Sequence, residues 1–106
     1  MKQLASFPEE KADRHATSLL FDAPECRLVA FTLQPGQTVP MHRSSSTVVV
    51  IVVSGSGVFR GGESELQLDA GEAASYEPEE LHGMTAGETG LRFIAAITPR
   101  PGAQSK

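Results

Sequence analysis

Residues 47 to 53 read Thr-Val-Val-Val-Ile-Val-Val, β-branched at every position. Such side chains lose rotamer freedom in a helix and pack well on a pleated surface, so this segment is a strand. Its side chains alternate: Val48, Val50 and Val52 share one face, and Val49, Ile51 and Val53 share the other. Both faces are apolar, whereas Glu65-Leu66-Gln67-Leu68 alternates as a half-exposed strand does. A strand apolar on both faces must be covered twice. One cover is the core. The other is the N-terminal segment or a second subunit, and we take a homodimer with a sheet-on-sheet contact as the expectation, with intrachain cover as the alternative.

The remaining sequence alternates short strands and turns. Ala16 to Phe21 and Arg27 to Leu33 read as strands flanking the turn Asp22-Ala-Pro-Glu, and Pro35-Gly36 closes the second. Gly55-Ser-Gly57 is expected to break the valine strand. Val58 to Arg60 and Glu65 to Leu68 then form a hairpin around Gly61-Gly62. Ala73 to Tyr76, His82 to Thr85 and Leu91 to Ile97 complete the set. A short helix is expected at most once, around Pro8 to Asp13. The predicted organisation is an N-terminal arm (1–14), one β domain (15–98) and a frayed C-terminal tail (99–106). Strands at this regular spacing indicate an all-β sandwich or barrel.

Composition excludes several classes. The formal net charge of -4, without a basic cluster, argues against a nucleic-acid surface. No basic amphipathic segment suits an anionic membrane, and the apolar run Val48 to Val53 is far too short to span one. Cys26 is the only cysteine, so neither an intrachain disulfide nor a cysteine zinc motif is expected. The N-terminus has no signal-peptide apolar core, and the expected location is cytoplasmic.

Two glycine-anchored frames stand out. The first runs Gly36-Gln-Thr-Val-Pro-Met-His42 and continues to Gly55; the second runs from Gly71 through Pro78-Glu-Glu-Leu to His82. In order and spacing these frames resemble the two motifs of the cupin family. The resemblance spans roughly residues 27 to 97 and implies a jelly-roll barrel of two antiparallel sheets. It also implies that His42 and His82 point into the barrel. In the family, three histidines and a glutamate hold a divalent metal. Here the second histidine is Ser44 and the glutamate is Val48. The glycine of the second motif is Glu79 and its asparagine is Ala86.

Two imidazoles without a carboxylate make a weak site for a divalent ion such as Zn, Fe, Mn or Ni. Cys26, His15, Glu79 and Glu80 are the possible third donors, though none occupies a motif position. The candidate ligand-binding residues are His42, His82, Ser44, Tyr76 and Met84, with His42 and His82 also the candidate metal ligands. Met84 shares the face of His82, two residues away. No certain cofactor and no catalytic residue are assigned. The leading expectation is a small-molecule-binding cupin without the full metal site, its pocket lined by valines, Met84 and phenylalanines such as Phe31, Phe59 or Phe93. The alternative is a metal-dependent dioxygenase or isomerase with an unidentified third ligand. Metal-free acid–base catalysis by a histidine ranks below both.

Overall fold

The β-branched segment is the first half of a longer strand. The computed structural model describes residues 1–102. Residues 103–106, the end of the expected tail, lie outside the described residues. In chain order the strands are β1 (Ala16–Ala23), β2 (Cys26–Leu33), β3 (Thr38–His42), β4 (Thr47–Arg60), β5 (Glu65–Asp69), β6 (Ala73–Tyr76) and β7 (His82–Thr98). All pairings are antiparallel. No helix forms among the described residues, and so none is long and apolar enough to cross a membrane.

Two long strands build both layers of the jelly roll. Residues 47–52 of β4 pair with the C-terminal half of β7, which in turn pairs with β2, and β1 borders β2. β6 lies along the other side of this half of β4. Residues 57–60 of β4 pair with the N-terminal half of β7, and β5 and β3 complete the second layer. The turn from one layer to the other comes where Gly55 and Gly90 meet, at φ 75° and 80°. A Cβ on Gly55 would lie 2.1 Å from the Gly90 carbonyl oxygen. The glycines therefore do not end strands, contrary to the sequence expectation. They let β4 and β7 bend through bulges while staying paired, so 47–53 and 58–60 form one strand, as do 82–85 and 91–97.

The helix expected around Pro8 to Asp13 is absent, and residues 1–11 have no regular structure. A segment this short cannot recover the cost of helix nucleation. It is held instead by Gln34 Nε2 donating to Glu10 Oε1 (3.4 Å) and Gln37 Nε2 donating to the Lys11 carbonyl (2.8 Å). The start of the tail is also tied down: Ser46 Oγ donates to the Pro99 carbonyl and the Arg100 amide donates to the Pro24 carbonyl.

The two faces of the valine segment behave differently. Val48, Val50 and Val52 are buried with Phe59 and Phe93 in the core. Ile51 and Val53 remain 41% and 49% exposed. Of residues 1–14, only Phe7 and Pro8 are even partly buried, and the N-terminal arm leaves Ile51 and Val53 uncovered.

Candidate ligand cavity

The two frames converge because of their turns. Gly36 and Gly71 both adopt positive φ, 79° and 91°, in the turns leading to β3 and β6. Glycine takes that conformation freely, whereas a Cβ would crowd the residue's own backbone. β3 then pairs with β7 so that His42 stands opposite His82. Directly opposed residues of an antiparallel pair share a face, and the two imidazole centroids lie 4.2 Å apart with planes tilted by 59°.

The turn before His82 is stitched to the segment after His42. Its own frame is the Glu80 amide donating to the Glu77 carbonyl and the Glu77 amide donating to Glu80 Oε1. The Glu79 amide donates to the Ser44 carbonyl (2.7 Å), and Arg43 Nε donates to the Glu79 carbonyl (3.1 Å). Glu79 sits at φ 70°, a left-handed conformation that a non-glycine residue adopts at a cost.

Backbone carbonyls set the chemistry of both rings. His42 Nδ1 lies 2.8 Å from the Pro40 carbonyl, and His82 Nδ1 lies 3.0 Å from the Glu80 carbonyl. A carbonyl only accepts, so each Nδ1 carries the proton and each neutral ring keeps its Nε2 lone pair. Among the described residues neither Nε2 has a hydrogen-bond partner. Burial pushes the His82 pKa below the ordinary histidine value. His42 adds to that fall, while the bond to the Glu80 carbonyl and the Glu80 carboxylate oppose it.

Both histidines border a cavity of about 170 Å³. Its wall is otherwise apolar, formed mainly by Phe31, Val48, Val50, Phe93, Ala95 and Ile97, with Met84 and Ser44 also lining it. Phe31 and Phe93 stack in parallel, centroids 4.5 Å apart and planes within 5°. Of the expected site residues, the structure thus brings His42, His82, Ser44 and Met84 together. Tyr76 is placed differently. It is not part of the wall but stacks on His82 at 4.5 Å, and its hydroxyl is buried without a hydrogen-bond partner. Burial, with help from Glu80, raises its pKa to about 12. Tyr76 therefore packs against His82 and does not border the cavity. Phe59 also stays behind the wall, edge-on to Phe93 at 5.4 Å. Sequence reading missed Val39, Ala95 and Ile97. Their place depends on the register of β7 against β2, β3 and β4, which no local pattern reveals.

The residues present do not fit a divalent metal held by three or four protein ligands. Among the described residues no group of three or more His, Cys, Asp or Glu side chains could hold a metal. Cys26, His15, Glu79 and Glu80 do not line the cavity. The Glu80 carboxylate is engaged by the Glu77 amide, and Ser44 Oγ already accepts from the Ser46 amide.

Comparison with known proteins gives a consistent result. The family model described as "Cupin domain" matches residues 29–97. The structure is similar to TT1209 from Thermus thermophilus, with TM-score 0.84 and 25% identity over 90% of this chain and 92% of that one. It is similar to KdgF from Halomonas sp., with TM-score 0.80 and 18% identity over 91% and 87% of the two chains. A predicted oxalate decarboxylase from Thermotoga maritima aligns with TM-score 0.76 and 20% identity over 89% and 93%. No curated protein matches the sequence.

Proposed function

We propose, on the premise that this chain belongs to the cupin family, that it binds a small molecule in the barrel cavity and uses His42 and His82 as its polar contacts. One observation carries the reading: a cavity of about 170 Å³ with an almost wholly apolar wall, bordered by Ser44 and the two imidazoles. Binding sites of this kind are mostly apolar, with a few placed polar groups that fix orientation. The substitutions of the family's metal ligands by Ser44 and Val48 support the same reading, because they remove ligands and leave the barrel intact.

The test is a fragment screen by thermal shift on the wild type and on Ala95→Leu. Ala95 is buried and lines the cavity. Leucine there fills part of the space. Any true cavity ligand stabilises the wild type by mass action and loses most of that effect in the variant. Stabilisation that survives Ala95→Leu unchanged places binding elsewhere and ends the proposal.

A second reading has one observation in its favour. Both histidines hold Nδ1 on a carbonyl and leave Nε2 free, the arrangement that metal-bound histidines adopt. A divalent ion on His42 and His82 would need its third ligand from outside the described side chains. This reading ranks second. Metal analysis of untagged protein beside the His42→Ala/His82→Ala variant decides it: near-stoichiometric metal lost in the variant reverses the ranking.

We further propose that the exposed outer face of the first layer is covered by a second copy of the chain. Two rungs cross this side of the layer, Ser18–Ala30–Ile94–Ile51–Ala73, in which Ala30 is already buried, and Phe21–Leu28–Ala96–Val49–Ser75. Neither rung carries a charge. In a chain of net charge -4, such a face can meet its own copy without like-charge repulsion.

A further inference from the structure

We infer that the ligand is an amphipathic anion, an apolar body carrying a carboxylate, whose charged end lies outside the cavity against Arg27. The inference rests on the small-molecule reading above and deepens it.

Burial shows where the cavity opens. Its wall residues on β4 and in the middle of β7, such as Val48, Val50, Phe93 and Ala95, are buried. Phe31, Ile97 and Ser44 are only partly buried, and His42 is exposed. The mouth therefore lies between the β2 side of the first layer and the His42–Ser44 segment.

Register shows what stands beside that mouth. β2 and β7 pair without a shift, so Phe31, Val29 and Arg27 stand opposite Phe93, Ala95 and Ile97. Opposed residues share a face, and Phe93, Ala95 and Ile97 all line the cavity. Val29 and Arg27 thus continue the cavity face of the sheet, although neither lines the cavity itself. On β1, Leu19 stands opposite Val29, and Asp22 stands opposite Arg27. Leu19 is 54% exposed, so Val29 and Leu19 form an apolar shelf open to an incoming molecule. The cavity face runs from an apolar interior, over this shelf, to a guanidinium.

Charge at the end of the shelf is unbalanced. Asp22 Oδ1 lies 3.3 Å from Arg27 Nε and 3.5 Å from Arg100 Nη1, so two guanidiniums share one carboxylate oxygen. Arg100 is fixed there by its own amide, which donates to the Pro24 carbonyl. Among the described residues, Glu25 of the adjoining turn pairs with neither arginine, and the two terminal nitrogens of Arg27 have no hydrogen-bond partner. The cluster carries one net positive charge in a chain of net charge -4. A carboxylate is the group that a planar guanidinium fork binds through two parallel hydrogen bonds. Inside the apolar wall that carboxylate would lose its hydration without recompense. The charge therefore sits at the shelf and the hydrocarbon in the cavity.

The experiment is titration calorimetry on the full chain near neutral pH with octanoate, its neutral isostere octanamide, and octylammonium. Arg27→Gln and Ala95→Leu run beside the wild type. Arg27 is part-exposed, so Arg27→Gln leaves the core closed, and circular dichroism checks the fold. The expected result is one octanoate per chain, bound about fivefold more tightly than octanamide, with octylammonium weaker than octanoate. Arg27→Gln removes that preference and leaves octanamide unchanged, whereas Ala95→Leu weakens both. In the wild type, added salt weakens octanoate and spares octanamide. Octanamide or octylammonium binding as tightly as octanoate, or octanoate binding indifferent to both salt and Arg27→Gln, overturns the anion and leaves the cavity reading standing. Octanoate binding that Ala95→Leu does not weaken, or no binding by any probe together with no hit in the fragment screen, overturns both.

Discussion

His42 and His82 face each other across the β3–β7 ladder at 4.2 Å, but only one of them is buried. His82 is 4% exposed and is sandwiched between His42 and Tyr76, whereas His42 lies at the surface end of the cavity. Their alanine variants should therefore differ in stability. His82→Ala removes a packed ring and is expected to cost about 2–3 kcal/mol. His42→Ala should cost less than about 1 kcal/mol. Urea unfolding of the two single variants checks this. Equal losses would show that the pair is packed symmetrically.

The lowered pKa of His82 predicts a pH dependence. Its neighbours are His42 from β3, Tyr76 from β6 and the Glu80 carboxylate from the preceding turn. Burial makes protonation harder in the folded chain than in the unfolded one, whose value is near 6.5. Below that value the unfolded state binds the extra proton first. Stability is thus full above it and falls as the pH drops toward the folded-state pKa. Unfolding free energies at about pH 7.5 and about pH 5, for wild type and His82→Phe, isolate the effect. The wild type should lose more on acidification than the variant. The opposite sign would mean that Glu80 outweighs burial.

Glu79 holds a left-handed backbone at φ 70° in the position where the family motif has glycine. The sequence displays that departure but not its cost, because φ is set by the hydrogen bonds to Ser44 and from Arg43, which lie far away in the chain. Relief of the strain is worth about 1–2 kcal/mol, less the entropy glycine loses on folding. Glu79→Gly should therefore stabilise the protein by about 0.5–1 kcal/mol. A raised melting temperature with an unchanged cavity confirms the expectation; a lowered one means that the Glu79 side chain makes a compensating contact.

Gly55 and Gly36 show what the sequence did and did not make legible. Both belong to the first motif, and both adopt positive φ. The β-branched run and the spacing of the frames correctly indicate an all-β barrel, in which the structure sets the His42 and His82 rings 4.2 Å apart. Glycine, however, looks the same in sequence whether it ends a strand or bends one. Gly55 faces Gly90 so closely that a Cβ has no room, while a Cβ on Gly36 meets nothing within 4 Å. Gly36→Ala should cost about 1–2 kcal/mol, from conformation alone. Gly55→Ala adds a backbone clash and should cost at least about 3 kcal/mol. Urea unfolding of both variants tests the ranking. The place of Tyr76 behind His82 was hidden for a similar reason: it follows from the pairing of Tyr76 with Val48, which no local pattern states.

The outer face of β4 yields the last prediction. The valine segment is apolar on both faces, and the structure covers only one of them. Ile51 lies in the middle of an uncharged rung between Ile94 and Ala73, and it remains 41% exposed. A monomer would leave this stripe in water, at about 25 cal/mol for each Å² of apolar surface. A two-fold pairing of this face buries the stripe on both copies at once, because an isologous contact uses the same patch twice. The chain should therefore run in light-scattering chromatography at twice its own mass. Ile51→Lys places two charges near the axis of that contact and should shift the protein to the monomer, with the fold retained by circular dichroism. Lysine at the exposed position 63, Glu63→Lys in the β4–β5 loop, controls for the added charge and should leave the dimer intact. A wild type that is monomeric at all accessible concentrations would show that the uncovered face is tolerated in water, and the proposed second copy would be withdrawn.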